Sequence, residues 1–382
     1  MTGTIKTWPA LTVTLGALAV SGQAQQYQNI LQPYIDRGDL PGVVTVVADP
    51  ERVLDLTCVG WADIENQKPM KADTLFWVAS QSKPICGAAA MILWDEGKLD
   101  LDQLVANYLP ALKDLKILTG SGETRWHVEE PTNPPTVRQV LSHTSGMEWV
   151  NLAQQRAGKI DVLPFQEGVT VSAITPLRFQ PGADYNYSNQ GINIIAAIIE
   201  KISGQPYDEF LQQRLFNPLG MTNTTFWPTG AQLEQLAKAY CVKDGKLEAV
   251  DIGQLQYPLD NREKRFAEAA GGLFSTPEDL VKFYQMIAGK GVFHGTRILS
   301  AAAVAELGKK QTGDAVKNGY GLGWACSDNS MGHSGSHGTN TTVYKNTGKM
   351  VLWLVQQTNL PKANEAKAAF ERAADQDFKT TR

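Results

Sequence analysis

Leu75-Phe76-Trp77-Val78-Ala79-Ser80-Gln81-Ser82-Lys83 changes character in mid-course. Leu75 to Val78 is strand-like, and the run from about Lys83 to Glu96 is a long apolar helix stopped by Gly97. Ser80 and Lys83 stand three apart at the helix start, on one face, so Ser80 Oγ and Lys83 Nζ can meet. A serine becomes a nucleophile only beside a base, and a desolvated lysine can serve as one. The helix N-terminus also favours negative charge developing nearby. Alone, S-x-x-K arises by chance in most chains this long, and its ordinary reading is a solvated Ser and Lys.

Two further stretches stand out. Tyr187-Ser188-Asn189 follows the Pro181-Gly182 turn and precedes a helix. A loop phenol can relay a proton, and an Asn amide can hold a substrate carbonyl. His333-Ser334-Gly335-Ser336 is expected at the start of a strand beside the sheet edge. There Gly335 permits close backbone approach, and the Ser336 N–H can donate to an oxyanion. Taken singly, these read as a loop tyrosine and a glycine-rich turn.

Strands are expected at both ends of the chain. Val43 to Ala48 and Val53 to Val59 form a hairpin through Asp49-Pro50-Glu51-Arg52; Tyr320 to Cys326, Thr341 to Asn346 and Met350 to Gln356 follow late. The middle is mostly helical, with Thr136 to Ser142, Gln190 to Ile202 and Pro277 to Ala288 clearest, and a helix from Lys362 to about Ala374 closes the chain. Sequence-distant ends joined in one antiparallel sheet around a helical insertion make an α+β fold. The expected division is 25–98 with 302–382 as the sheet domain and 99–301 as the inserted domain, with the site in the cleft between them.

The 382 residues carry 35 Lys+Arg against 39 Asp+Glu, a formal charge of -4, which leaves no electrostatic footprint for nucleic acid. With 43% hydrophobic and 19% charged residues the chain is not disordered. Lys6, the apolar run Ala10 to Val20 and Ser21-Gly22-Gln23-Ala24, with small residues at the two positions a signal peptidase reads, read as an export signal, 1–24. No other segment approaches 18 apolar residues, so no integral membrane segment is expected in the mature chain. Cys58, Cys86, Cys241 and Cys326 show no C-x-x-C spacing, and their disulfide pairing is not legible. No H-E-x-x-H is present, so His333 and His337 are not taken as a metal pair; neither metal nor cofactor is expected. Ser327-Asp328-Asn329 is expected to be a turn, and the G-x-S-x-G elbow of another hydrolase class is absent.

The ordered set S-x-x-K, Y-x-N and H-[ST]-G resembles the penicillin-recognising serine hydrolases. It is most similar to the branch of class C β-lactamases, DD-peptidases, D-aminopeptidases and related carboxylesterases. Val140-Leu141-Ser142-His143-Thr144-Ser145-Gly146-Met147, Pro218-Leu219-Gly220-Met221 and Gly271-Gly272-Leu273-Phe274-Ser275-Thr276 extend the likeness from about 28 to 358. The resemblance implies a β-lactamase/DD-peptidase-like fold. It makes Ser80 the acylated nucleophile, with base and relay work shared by Lys83 and Tyr187. Asn189, His333, Ser334 and Gly335 would bind substrate, and the N–H groups of Ser80 and Ser336 would form the oxyanion hole. The chain departs from class C β-lactamases in having His333 where they carry the Lys of K-T-G. That disfavours a true β-lactamase and an anionic Tyr187, leaving neutral Lys83 as base. The expectation is an exported carboxylesterase or D-amino-acid peptidase acting on a small-molecule ester, amide or peptide. A class C-like β-lactamase and a non-catalytic ligand-binding protein of the same fold are the alternatives.

Overall fold

The computed structural model describes residues 22–122, 126–313, 316, 319–358 and 361–380. Strands β1 (Gly42–Ala48), β2 (Val53–Asp63) and β3 (Lys68–Pro69) join β4 (Ala325–Cys326), β5 (Ser330–Ser334), β6 (Asn340–Tyr344) and β7 (Met350–Leu354) in a seven-stranded sheet of order β4-β5-β6-β7-β1-β2-β3. Every pairing is antiparallel. The two ends of the chain meet at β1 and β7, where Val44 faces Leu354 and Val46 faces Leu352. In the β1–β2 hairpin, Asp49 Oδ1 accepts from the N–H groups of Glu51 and Arg52, both at 2.9 Å.

Both faces of β1 are buried, and the period of two sorts them. Val43, Val47, Val351 and Trp353 pack under α1 (Gly22–Asp36) and the closing helix α5 (Pro361–Thr380), through Tyr27, Leu31 and Phe370. Val44, Val46, Leu352 and Leu354 face the main core. That face is covered by α4 (Pro277–Ala288), capped as its sequence predicts by Thr276, whose side chain accepts from the Asp279 N–H. Helix α4 lies inside the stretch expected to be an insertion, yet it packs on β1, β6 and β7.

Helix α2 (Ser82–Asp95) is buried from Ser82 to Leu93, being apolar all round. It ends where expected: Gly97 has φ +67°, and Lys98 N–H reaches back to the Leu93 carbonyl at 2.9 Å. Helix α3 (Asn189–Ser203) packs against α2.

Three features differ from expectation. Of Tyr320 to Cys326 only Ala325–Cys326 is strand; Gly323 has φ +81°, and a Cβ there would lie 2.7 Å from the Lys83 carbonyl, so the chain turns across α2 instead of running straight. The middle region carries three hairpins, Ile117–Ser121 with Trp126–Glu129, Ala239–Lys243 with Lys246–Val250, and the short Val292–Phe293 with Thr296–Arg297. His333 lies near the end of β5, not at a strand start. Ser327-Asp328-Asn329 is the connection between β4 and β5, closed by the Ser327 N–H on the Ser330 carbonyl at 2.8 Å. All four cysteines are free thiols. The expected export segment falls outside the described residues except for 22–24, which belong to the first turn of α1. Among the described residues no helix is long and apolar enough to cross a membrane.

Candidate active site

Ser80 sits in a single tight turn, Ala79–Gln81, that leads into α2. Ala79 has φ +48°, a left-handed conformation that costs a non-glycine residue roughly 1–3 kcal/mol. Such a conformation persists only where its surroundings over-determine it, and here they do. Gln356 brackets Trp77, accepting from its N–H at 2.8 Å and donating to its carbonyl at 3.2 Å. The Trp77 indole N–H donates to the Gly271 carbonyl at 2.7 Å. Thr339 Oγ1 donates to the Val78 carbonyl at 3.2 Å, and Ser82 Oγ to the Ala79 carbonyl at 2.7 Å. Gln81 Oε1 accepts from Tyr284 and Thr341, each at 2.8 Å.

Lys83 is 0% exposed. Its Nζ lies 3.1 Å from Ser80 Oγ, donates to the Ala270 carbonyl at 2.6 Å and stands 4.6 Å from the centre of the Tyr187 ring. Burial pulls the Lys83 ammonium down to about 7, against the opposing pull of Glu268 and Cys86. Burial pushes the Tyr187 phenol upward, and the hydrogen bond it shares with Ser80 offsets only part of that. Near neutral pH the site therefore offers a lysine able to be an amine and a tyrosine that keeps its proton.

Tyr187 and Asn189 are aimed by the loop before them. Ser188 caps α3, accepting from the Gly191 N–H at 2.8 Å, and donates to the Glu148 carbonyl at 2.6 Å. Asn189 N–H donates to the Trp149 carbonyl at 2.7 Å. The Ser188 N–H donates to His143 Nδ1 at 3.2 Å, and that buried ring packs on Tyr187 with centroids 4.6 Å apart. Asn189 is 4% exposed, and its Oδ1 has no partner among the described residues.

The third motif meets the nucleophile turn backbone to backbone. A Cβ on Gly335 would lie 2.5 Å from the Val78 carbonyl and 2.2 Å from Thr339 Oγ1, so only glycine lets β5 come this close. Ser334 and Ser336 are exposed, and Ser334 Oγ accepts from Asn340 Nδ2 at 2.8 Å. His333 is spent inside the protein. Its Nε2 pairs with the Tyr320 hydroxyl at 2.9 Å and its Nδ1 with the Ser334 carbonyl at 2.8 Å. A carbonyl only accepts, so Nδ1 carries the proton and Nε2 takes the Tyr320 hydrogen. Burial, and then the Lys83 charge, hold this imidazole down to about 3, so it is neutral. His337 packs instead on Trp77, with ring centroids 4.8 Å apart.

All eight expected site residues thus come from three regions that converge on the α2 N-terminus. Sequence reasoning missed Gln81, Gln356, Tyr320 and Glu268, which have no local pattern; a lone acid in the small-residue run Phe266-Ala267-Glu268-Ala269-Ala270-Gly271 is the one visible signal. A cavity of about 340 Å³ has a mixed lining that includes Trp149, Leu152, Ile160, Glu148, Gln154 and Lys159, and none of the eight site residues lines it.

A family model described as Beta-lactamase matches residues 27–376. A putative D-alanyl-D-alanine carboxypeptidase of Escherichia coli O157:H7 is 26% identical over 377 residues, covering 90% of this chain and 84% of that protein. Esterase EstB of Burkholderia gladioli is 27% identical over 326 residues, covering 78% of this chain and 79% of its own. Among solved structures, EstCE1, titled a hydrolase with promiscuous acyltransferase activity, has a TM-score of 0.79 at 22% identity, covering 92% of this chain and 98% of that one; this likeness bears on the fold.

Proposed function

The chain belongs to the Beta-lactamase family of serine hydrolases, and from that premise we propose that it is a carboxylesterase working through an acyl-enzyme on Ser80. The observation that carries the reading is the buried Lys83 amine 3.1 Å from Ser80 Oγ, with the Tyr187 phenol bonded to the same serine. Lys83 takes the Ser80 proton as Oγ bonds the substrate carbonyl carbon. The carbonyl oxygen becomes an oxyanion received by the N–H groups of Ser80 and Ser336, where the close approach at Gly335 brings the two segments together. Asn189 orients the carbonyl side of the substrate. Tyr187 passes the proton on to the leaving oxygen, and water repeats the sequence to release the acid.

A neutral His333 supports an ester over a β-lactam or a peptide with a free C-terminus, since those substrates bring a carboxylate that this motif does not answer with charge. We assign His333 and Ser334 to positioning the strand end. The reading includes export, on the 1–24 signal pattern; an N-terminus at Gln25 in protein recovered outside the cytoplasm would agree with it.

Intact-mass analysis after a serine-directed phosphonate probe tests the core of the proposal. Wild type should gain one adduct and Ser80→Ala none; no adduct on wild type, or the same adduct on both, refutes it. A p-nitrophenyl ester, a chromogenic cephalosporin and a D-Ala-D-Ala peptide, assayed side by side, should rank the ester first.

A further inference from the structure

His143 is buried and holds a left-handed backbone, φ +62°, which is strained for a residue with a side chain. It opens a stretch, residues 143–149, whose carbonyls hold the Tyr187 loop. The His143 carbonyl accepts from the Asn186 N–H at 2.9 Å and the Thr144 carbonyl from the Gly182 N–H at 2.7 Å. The Met147 carbonyl accepts from Asn186 Nδ2 at 2.6 Å, Glu148 from Ser188 Oγ at 2.6 Å and Trp149 from the Asn189 N–H at 2.7 Å. Any residue supplies a carbonyl. The bond from the Ser188 N–H to His143 Nδ1 differs, because its acceptor is a side chain. His143 thus grips both flanks of Tyr187, its carbonyl on the residue before and its ring on the residue after. The ring itself packs between Tyr187 and Tyr320, with centroids 4.6 Å and 4.5 Å away. Glycine would adopt this backbone freely but would leave the Ser188 N–H unmet. Because an N–H donates to Nδ1, the proton sits on Nε2, which has no partner among the described residues. A buried ring with one nitrogen unmet is placed for its other nitrogen. Burial, then the charges of Lys83 and His333, hold this imidazole well below its usual range, so Nδ1 stays an acceptor.

We infer that His143 is a positioning residue for Tyr187: its carbonyl and its Nδ1 together hold the peptide N–H groups on either side of that tyrosine and so keep the phenol on Ser80. The inference deepens the reading of Tyr187 as proton relay and rests on it. His143 exchanges no proton in the reaction. Losing the Nδ1 bond frees the chain at Ser188, and the phenol drifts from Ser80 Oγ; a misplacement of ~1 Å can cost ~10²-fold in rate. Asn189 keeps its own bond to the Trp149 carbonyl, so substrate binding is spared. Two substitutions separate the acceptor from the ring. In asparagine Oδ1 stands two bonds beyond Cβ, as Nδ1 does in histidine, and asparagine tolerates the left-handed backbone. Phenylalanine keeps a ring and has no acceptor.

The test is steady-state hydrolysis of a p-nitrophenyl ester by wild type, His143→Ala, His143→Asn and His143→Phe, each repeated in a Tyr187→Phe background. His143→Ala should lower kcat roughly tenfold to a hundredfold, with KM within about twofold of wild type. His143→Asn should recover most of that loss, and His143→Phe should fall with His143→Ala. In Tyr187→Phe no hydroxyl remains to be placed, so the same substitutions should change kcat by less than about twofold. Where that background turns over too slowly, the rate of phosphonate labelling of Ser80 reads the same cycle. A His143→Ala kcat close to wild type overturns the inference. Equal losses in the two backgrounds, or His143→Phe matching wild type while His143→Asn matches His143→Ala, also overturn it and assign the residue to packing. If His143→Ala does not fold, the comparison of Asn with Phe decides alone. Tyr187→Phe turning over at the wild-type kcat overturns instead the relay reading beneath.

Discussion

Gly335→Ala probes the contact on which the oxyanion corner depends. The new methyl would lie 2.5 Å from the Val78 carbonyl, 2.2 Å from Thr339 Oγ1 and 3.3 Å from the Ala79 Cβ. Thr339 can rotate away, but Val78 is backbone and is itself tied to the Leu273 carbonyl through its N–H at 3.0 Å. Real Cβ atoms do not approach within 3.0 Å, so strand end and nucleophile turn must part by at least about half an ångström. A misplacement of ~1 Å can cost ~10²-fold in rate, so kcat/KM should fall roughly tenfold to a hundredfold. Overpacking adds about 1–3 kcal/mol of destabilisation, seen as a melting temperature a few degrees lower with secondary structure unchanged. Steady-state hydrolysis of a p-nitrophenyl ester and a thermal melt measure both quantities. Hydrolysis within twofold of wild type would refute the claim that the Ser336 N–H is placed by this close approach.

Tyr320→Phe strips the hydroxyl from His333 Nε2 and leaves a buried acceptor unmet, so thermal stability should fall by about 1–3 kcal/mol while kcat/KM falls less than tenfold. An unchanged melting temperature would contradict the bond. Lys83→Met should abolish hydrolysis and stabilise the fold. The Lys83 pKa is depressed from 10.5 to about 7 on folding, so the unfolded chain binds the extra proton between those values. The penalty is full below pH 7 and fades as pH rises to 10.5. The variant should therefore melt higher than wild type at pH 6, by about 2–4 kcal/mol, with the gap narrowing towards pH 10. A gap independent of pH would sink the argument.

What could be read in advance was whatever is encoded locally. Gly97 stops α2, Thr276-Pro277 starts α4, and the alternation in β1 sorts its two faces, because each depends on neighbours a few residues away. The register Ser80–Lys83 is of the same kind. Strand β5 was harder: Ser330-Met331-Gly332-His333-Ser334 has little strand propensity and is held by pairing with β4 on one side and β6 on the other. The clasps on the nucleophile turn were invisible for a related reason. Gln356 reaches Trp77 across 279 positions and Tyr284 reaches Gln81 across 203, and no pattern within a window reports such a bond. Tyr320 was hidden because its run looked like a strand until the glycines at 321 and 323 turned it over α2.

The pairing of β1 with β7 also bears on the order in which a ribosome delivers the chain. By the time residue 300 has been made, Ser80, Lys83, Tyr187 and Asn189 all exist. The Gly335 contact, the Thr339 bond and the Gln356 bracket do not. Without them the turn at Ala79 keeps its bonds to Gly271, Ser82 and Tyr284 but loses the rest of its clasp, and the oxyanion corner has no Ser336 N–H. Contacts this distant in sequence form late in folding. An abandoned translation product thus carries the first two motifs and no assembled site, and the earliest moment at which this enzyme can act is fixed by the arrival of its last strand.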